Sequence, residues 1–217
     1  MITIPELVKE KIEESPYLEE LLAKGIINYS ALARTIKLEL EEKLLKSIKE
    51  GSIIMALRRM VKKYEKNLNL KNIFSKSPDM IIRSNLVEFT FTNSDLMLNK
   101  YRNLLKNIEV DRQYFFAITQ GVFETGIIIS QELEEKIREI FDGEKIIHHL
   151  TNLSAITIKL PKENVTTSGV YYFILKALAL NNINIIELVS TYQEITLILE
   201  TKEIDKAFSI LKKTLST

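Results

Sequence analysis

The strongest constraint on the fold is an order of predicted elements that occurs twice in the second half of the chain. From about Asp79 onward, strand-like runs alternate with helical ones in the order strand, helix, strand, strand, helix, and the same order starts again at Ser154. Matching positions, such as Ile128 and Ile198, lie about 70 residues apart. A repeat of this size predicts two ferredoxin-like units, which are antiparallel sheets with helices on one face.

The boundaries of these elements follow from the periodicity of the apolar residues. In the first copy we predict strands over 80–92, 114–120 and 123–130, and helices over 95–106 and 131–141. In the second copy we predict strands over 154–160, 184–191 and 194–201, and helices over 168–180 and 204–215. One more strand-like run, 145–150, either closes the first copy or is shared with the second.

The first 75 residues show only helical periodicity. Ser15-Pro16 predicts the start of a helix, since serine caps free N–H groups and proline fits the first turn. Gly25 predicts its end, Ser30 opens the next helix, and Ser52 caps a last helix from Ile53. The sequence therefore predicts an α+β protein with a helical domain over 1–75 and two repeated units over 79–150 and 151–217.

Several kinds of chemistry are missing from the sequence. The chain has no cysteine and only six glycines, so thiolate chemistry is excluded and a phosphate-cradling loop is not expected. His148 and His149 are adjacent, so in a strand one packs and the other is exposed. We expect no enzyme activity, no cofactor and no metal site. The N-terminus has no signal pattern and no apolar run is long enough to span a membrane, so we expect a cytoplasmic protein.

The segment 165–215 resembles the ACT domain, and within that family it is most similar to the regulatory units of aspartate kinases. The match is carried by a small-Gly-Val step at Ser168, Gly169 and Val170, and by the Asn-Ile-Asn-Ile run at 182–185 that leads into a strand. Ser168 stands where the family usually has proline. The first copy has neither the Gly-Val step nor the Asn-Ile run, so it is interpreted as a degenerate ACT-like unit.

The resemblance implies a regulatory protein that binds a small effector, most often an amino acid, where two units meet. Carried over onto this chain, the ligand-binding residues are Ser168, Gly169 and Val170, with Asn184 and Ile185 facing them. A helix N-terminus attracts a carboxylate, and an asparagine amide both donates and accepts hydrogen bonds. The alternative is that Gly169 only permits a turn and the asparagines only end a helix. ACT units commonly pair, so we expect a homodimer at least.

The helical domain carries a concentrated positive charge. Between Lys43 and Lys76 there are ten basic and two acidic residues, in a chain whose formal net charge is +1. The helix that begins near Ile53 resembles the recognition helix of winged-helix regulators, and 29–34 resembles the first helix of a helix-turn-helix. The candidate residues for binding double-stranded DNA are Arg34, Arg58, Arg59, Lys62 and Lys63. The alternative is that these residues only form a solvated helix face.

Two hypotheses from different classes follow. The first is a ligand-responsive transcriptional regulator, in which the helical domain binds DNA and the tandem ACT domains sense an amino acid and dimerise. The second is a stand-alone regulatory subunit that binds an amino acid and a partner enzyme, without DNA. A weaker third hypothesis is a module for dimerisation that binds no ligand.

Overall fold

The computed structural model describes residues 2–64, 74, 77–107 and 114–216, with the side chains of 16, 62–64 and 107 outside the description. The chain divides into two compact units, Met1–Asn72 (unit 1) and Ile73–Thr217 (unit 2). A helical N-terminal region followed by a sheet with helices confirms the α+β class. The predicted division at 150/151 inside unit 2 stays a prediction.

Unit 1 contains four described helices, α1 (Ile4–Glu13), α2 (Pro16–Ala23), α3 (Tyr29–Leu44) and α4 (Glu50–Tyr64). The helix starts follow from local chemistry. α2 begins at Pro16 after Ser15 as predicted, but the Ser15 side chain makes no capping hydrogen bond. The prediction of Ser30 as a helix start is corrected, because Asn28 Oδ1 accepts from the backbone N–H groups of Ser30 (3.1 Å) and Ala31 (3.0 Å), and the helix begins one residue earlier.

The start of α4 also differs from the expectation. The prediction that Ser52 caps the last helix is wrong, because α4 already begins at Glu50. α3 is followed by a left-handed Leu45 (φ 51°), so the two helices are joined by the five residues 45–49. Apolar residues from all four helices form the core of unit 1, including Val8, Ile12, Leu22, Ile36, Leu40, Ile53 and Leu57.

Unit 2 contains the repeated elements. They are β1 (Met80–Thr92), α5 (Met97–Asn107), β2 (Phe116–Gln120), β3 (Glu124–Ser130), α6 (Glu134–Ile140), β4 (Ile146–Lys159), α7 (Val170–Ala179), β5 (Glu187–Ser190), β6 (Glu194–Glu200) and α8 (Ile204–Leu215). The strands form one six-stranded sheet in the order β2-β3-β1-β4-β6-β5, in which every described pair is antiparallel. The predicted runs 145–150 and 154–160 are one strand, β4.

The two central strands belong to both halves of the repeat. β1 pairs with β3 over its second part, and it pairs with β4 along most of its length. Leu86 and Leu153 face each other in this pairing, and each follows an asparagine with positive φ (Asn85, 57°; Asn152, 56°). Asparagine tolerates this left-handed conformation better than most residues. The repeat therefore appears as two three-stranded halves arranged about the β1–β4 pair, and separate ferredoxin-like units stay a prediction.

Both faces of the sheet carry a core. On the helix-covered side, Val87, Phe89 and Phe91 of β1 pack against residues of α5 and α6 such as Leu104 and Ile137. Since strand residues alternate between faces, Leu86 points to the other side. There it packs in a second buried cluster with Ile128, Leu153, Ala155 and Ile198. We call this side the closed face.

The closed face is buried because the two edges of the sheet approach each other. Thr119 on β2, one edge, donates from Oγ1 to Glu187 Oε1 on β5, the other edge, at 2.8 Å. The sheet therefore curls until its first and last strands touch. The sequence predicted helices on one face but gave no indication that the opposite face closes on itself.

Candidate functional site

The Gly-Val step predicted from sequence lies at the start of α7. Gly169 has φ 88°, in the left-handed region that favours glycine, and it is the residue immediately before the helix. Ser168 and Gly169 are exposed, whereas Val170 is buried in the core. The geometry fits both predicted roles, a tight turn and an open helix N-terminus.

Asn184 and Ile185 lie at the other end of α7. The loop before α7 stays near the β5–β6 turn, because the backbone N–H of Leu160 donates to Gln193 O at 2.7 Å. α7 then runs for ten residues, about 15 Å, before the chain turns back toward β5. Within one chain, Ser168–Val170 and Asn184–Ile185 are therefore too far apart to contact the same amino acid.

A surface pocket of about 530 Å³ adjoins Asn184. Its lining residues include Asn152, Asn184, Glu200 and Lys202, together with the apolar Leu150 and Ile186. Glu200 and Lys202 form an ion pair, which raises the pKa of Lys202 and keeps its ammonium charged. The pocket thus presents both signs of charge and two amides, a set of groups suited to a zwitterion.

The first copy has a pocket in the corresponding place. It has a volume of about 340 Å³ and is lined by Arg83, Ser84, Tyr114, Ser130 and Glu132. Arg83 and Ser84 precede the left-handed Asn85, as Leu150 and Thr151 precede Asn152 in the second copy. The internal repeat therefore extends to this surface, although the lining residues differ.

Sequence reasoning missed several residues that the fold brings to these places. Asn152, Glu200 and Lys202 belong to the Asn184 pocket but have no recognisable motif: Asn152 lies inside β4, Glu200 ends β6 and Lys202 follows it. Glu88 and Glu187, which face each other on the closed face, were also missed. A charged residue in the middle of an apolar strand was the one available signal for Glu88.

The basic residues of unit 1 differ in how they are paired. Lysines 9, 11, 24, 37 and 43 each form an ion pair with a glutamate. Arg34, Arg58 and Arg59 are exposed, and no ion pair is found for them within the described part of the chain. The guanidinium of Arg58 lies 5.9 Å from the ring centre of Tyr29. The side chains of Lys62 and Lys63 lie outside the described residues.

Neither a metal-binding group of side chains nor a membrane-spanning helix is present among the described residues. No group of three or more histidine, aspartate or glutamate side chains in 2–64, 74, 77–107 and 114–216 is arranged to hold a metal ion. Over the same ranges, none of the helices has the length and apolar character required to cross a membrane. The two histidines are arranged as predicted, with His148 exposed and His149 stacked on Phe89 at 4.4 Å between ring centres.

Solved structures share the fold of this chain. Aspartate kinase from Clostridium acetobutylicum matches with a TM-score of 0.54 and 17% identity, over 63% of this chain and 34% of that one. The regulatory subunit of aspartate kinase from Thermus thermophilus matches with a TM-score of 0.52 and 13% identity, over 64% of this chain and 97% of that one. Over about two thirds of its length the chain shares the fold of these ACT-containing proteins.

A third structure, of aspartokinase alpha and beta subunits, has the same fold, with a TM-score of 0.50 and 15% identity over 62% of this chain and 95% of that one. The ACT resemblance deduced from 165–215 is thus confirmed at the level of fold. The chain spans about a third of the length of the Clostridium enzyme. No protein-family model matches the sequence, and the comparison with curated proteins found no match. The helix-turn-helix assignment of unit 1 stays a prediction.

Proposed function

We propose that this protein is a regulatory protein that senses an amino acid through its ACT-fold unit. The observation that carries the proposal is the Asn184 pocket, which places a carboxylate, an ammonium and two amides at the end of the sheet. The fold supports it, because one protein with the same fold is described as a regulatory subunit and another as an allosteric enzyme. In this proposal the chain has no catalytic activity of its own.

The pocket would recognise the two charged groups that all amino acids share. Lys202 would meet the α-carboxylate and Glu200 the α-ammonium, so the ligand would exchange partners with the existing ion pair. Asn184 would donate to the carboxylate or accept from the ammonium. Ser168, Gly169 and Val170 would contribute to a ligand site only from a second chain, so this part of the proposal depends on a homodimer.

An amino acid effector is expected to raise the melting temperature of the protein. A ligand at 100 times its dissociation constant stabilises the folded state by about 2.7 kcal/mol. For a chain of this size the expected shift is about 5–10 °C. Thermal melting of the full chain against each of the twenty amino acids measures it.

The control for the pocket is a pair of asparagine variants. Asn184→Ala should abolish the shift, whereas Asn99→Ala, at an exposed position on α5, should preserve it. A shift of equal size in Asn184→Ala would place the effector elsewhere. The absence of any shift with all twenty amino acids would contradict the sensor proposal and leave dimerisation as the role of the ACT unit.

We propose DNA binding by unit 1 as a second function, which would make the protein a ligand-responsive transcriptional regulator. The observation in its favour is that Arg34, Arg58 and Arg59 are exposed without carboxylate partners in the described residues. Lys46 and Lys49 share this property, whereas five other lysines of unit 1 are paired with glutamates. The five-residue connection between α3 and α4 is also close in length to the turn of about three to four residues in a helix-turn-helix. In a two-fold dimer, two copies of α4 would meet two half-sites.

Arg58→Ala and Arg59→Ala are expected to weaken binding to duplex DNA. Each lost phosphate contact should reduce the slope of log K against log salt by about one. Fluorescence anisotropy at several salt concentrations measures this slope. Lys24→Ala is the matched control, because Lys24 is exposed but paired with Glu20. Unchanged DNA affinity in both arginine variants would exclude α4 as the binding helix.

The competing proposal is a stand-alone regulatory subunit that binds a partner enzyme and no DNA. In that case unit 1 would dock on protein. The affinity for the enzyme would then depend weakly on salt, since an apolar interface releases few counterions. In the anisotropy experiment, binding to duplex DNA with a steep salt slope would favour the transcriptional regulator, and no binding would favour the regulatory subunit.

A further inference from the structure

Glu88 is a carboxyl group buried in the closed face of the sheet. It lies in the middle of β1 with only 8% of its surface exposed, opposite Ile128 of β3 and Leu150 of β4. Its Oε1 accepts a hydrogen bond from Thr90 Oγ1 at 3.2 Å. Its Oε2 is buried and has no hydrogen-bond partner among the described residues. A carboxylate oxygen in this position is strongly disfavoured unless it is protonated or paired.

Glu187 reaches the same place from the far edge of the sheet. Its carboxylate accepts from Thr119 of β2 and lies beside that of Glu88. Gly126 of β3 lies under this contact: a Cβ at that position would be 2.9 Å from Thr119 Oγ1 and 3.5 Å from both carboxylate oxygens of Glu187, so the missing side chain makes room for the Thr119 hydroxyl that binds Glu187. The carboxyl groups of Glu88 on β1 and Glu187 on β5 thus lie side by side, close to Gly126 on β3.

The surroundings of the pair supply little compensating charge. Burial raises the pKa of Glu88, and the neighbouring charge of Glu187 raises it further. The hydrogen bond from Thr90 and the exposed His148 on β4 act in the opposite direction. The other facing elements contribute Thr119 from β2 and Ile128 and Gly126 from β3, none of which carries charge. Two carboxylates this close do not both ionise easily.

We propose that Glu88 is protonated and donates from Oε2 to the carboxylate of Glu187, so that one shared proton connects β1 to β5 and holds the sheet closed. The bond satisfies the buried oxygen of Glu88 and removes the repulsion between the two groups. Loss of the proton leaves two facing carboxylates and opens this contact. Leu150 and Ile186 are neighbours of the pair and also line the Asn184 pocket. Separation of the two carboxylates would therefore also change the pocket.

The pH dependence of stability has a defined sign. The pKa of Glu88 in the folded protein is raised above its usual value of 4.5. The stabilisation is therefore complete below that pH and is lost as the pH rises through the raised value. This direction is opposite to that of a salt-bridged carboxylate, whose contribution is lost on acidification.

Melting temperatures of the full chain between about pH 5 and pH 9 test the proposal. Glu88→Gln keeps an acceptor for Thr90 and supplies an amide donor for Glu187 at every pH. We expect this variant to lose the fall in Tm with rising pH and to melt about 4–8 °C above the unsubstituted protein at the alkaline end. Glu187→Gln should behave in the same way, whereas Glu124→Gln, an exposed residue of β3, should retain the original profile.

Each of two measurements has a result that would overturn the shared proton. A Tm that falls with pH in Glu88→Gln in parallel with the unsubstituted chain would overturn the proposal. Carbon-13 NMR of labelled glutamate in the unsubstituted protein gives a second measurement that no folding defect of a variant affects. The side chain of Glu88 should titrate above its usual range, and titration at the usual value would overturn the shared proton.

Discussion

Phe89→Ala is expected to lower the free energy of unfolding of unit 2 by about 3–5 kcal/mol. Phe89 is fully buried on the helix-covered face of the sheet. Its ring stacks on Phe91 (5.9 Å between ring centres) and on His149 (4.4 Å), and the guanidinium of Arg138 lies 5.0 Å from its centre. Alanine would leave a cavity between elements that are already fixed by strand pairing, so little collapse can compensate.

The measurement is urea unfolding of the full chain followed by circular dichroism, together with hydrogen exchange of the β1 amides. The exchange data assign the loss to unit 2 even if the two units unfold in separate transitions. Phe123→Ala is the matched control, since Phe123 is 80% exposed and its removal should cost little. Equal losses in the two variants would contradict the core position of Phe89.

Leu153→Ala is expected to cost about 2–5 kcal/mol, although it lies on the side of the sheet that the helices do not cover. Leu153 is 1% exposed and packs with Leu86, Ile128, Ala155 and Ile198 on the closed face. The expected loss of stability therefore depends on the curvature of the sheet, which brings β2 close to β5. If this face were open to solvent, the same substitution would cost well under 1 kcal/mol.

Ile147→Ala is the control on the same strand, because Ile147 keeps 43% of its surface exposed. Hydrogen exchange of the β4 amides separates the two variants within unit 2. A loss for Leu153→Ala no larger than that for Ile147→Ala would contradict the closed face, and with it the environment proposed for Glu88 and Glu187.

Local features of the fold were predictable because they depend on near neighbours in the sequence. The start of α2 at Ser15-Pro16 and the positive φ of Gly169 reflect the sterics of single residues. The strands and helices of unit 2 reflect the period of the apolar residues. The expectation was wrong for Ser30 because Asn28 caps that helix instead, and for Ser52 because the helix already begins at Glu50.

The candidate site was predictable only in part. The ACT resemblance led to Asn184, which does line a pocket, but also joined it to Ser168, which lies at the other end of α7. The resemblance identifies residues that match a motif, and it does not state which chain supplies each one. The lining residues Asn152 and Glu200 come from β4 and β6, and pairing in the sheet brings them together.

The sequence by itself determined the order of elements, the internal repeat and the separation of a helical region from a sheet region, because these follow from short-range periodicity. Only the tertiary structure decided that β1 and β4 serve both halves and that β2 meets β5. Strand partners distant in sequence are selected by the total burial that a pairing allows, a quantity that no local pattern contains. The meeting of Glu88 with Glu187, 99 positions apart in the chain, depends entirely on that choice.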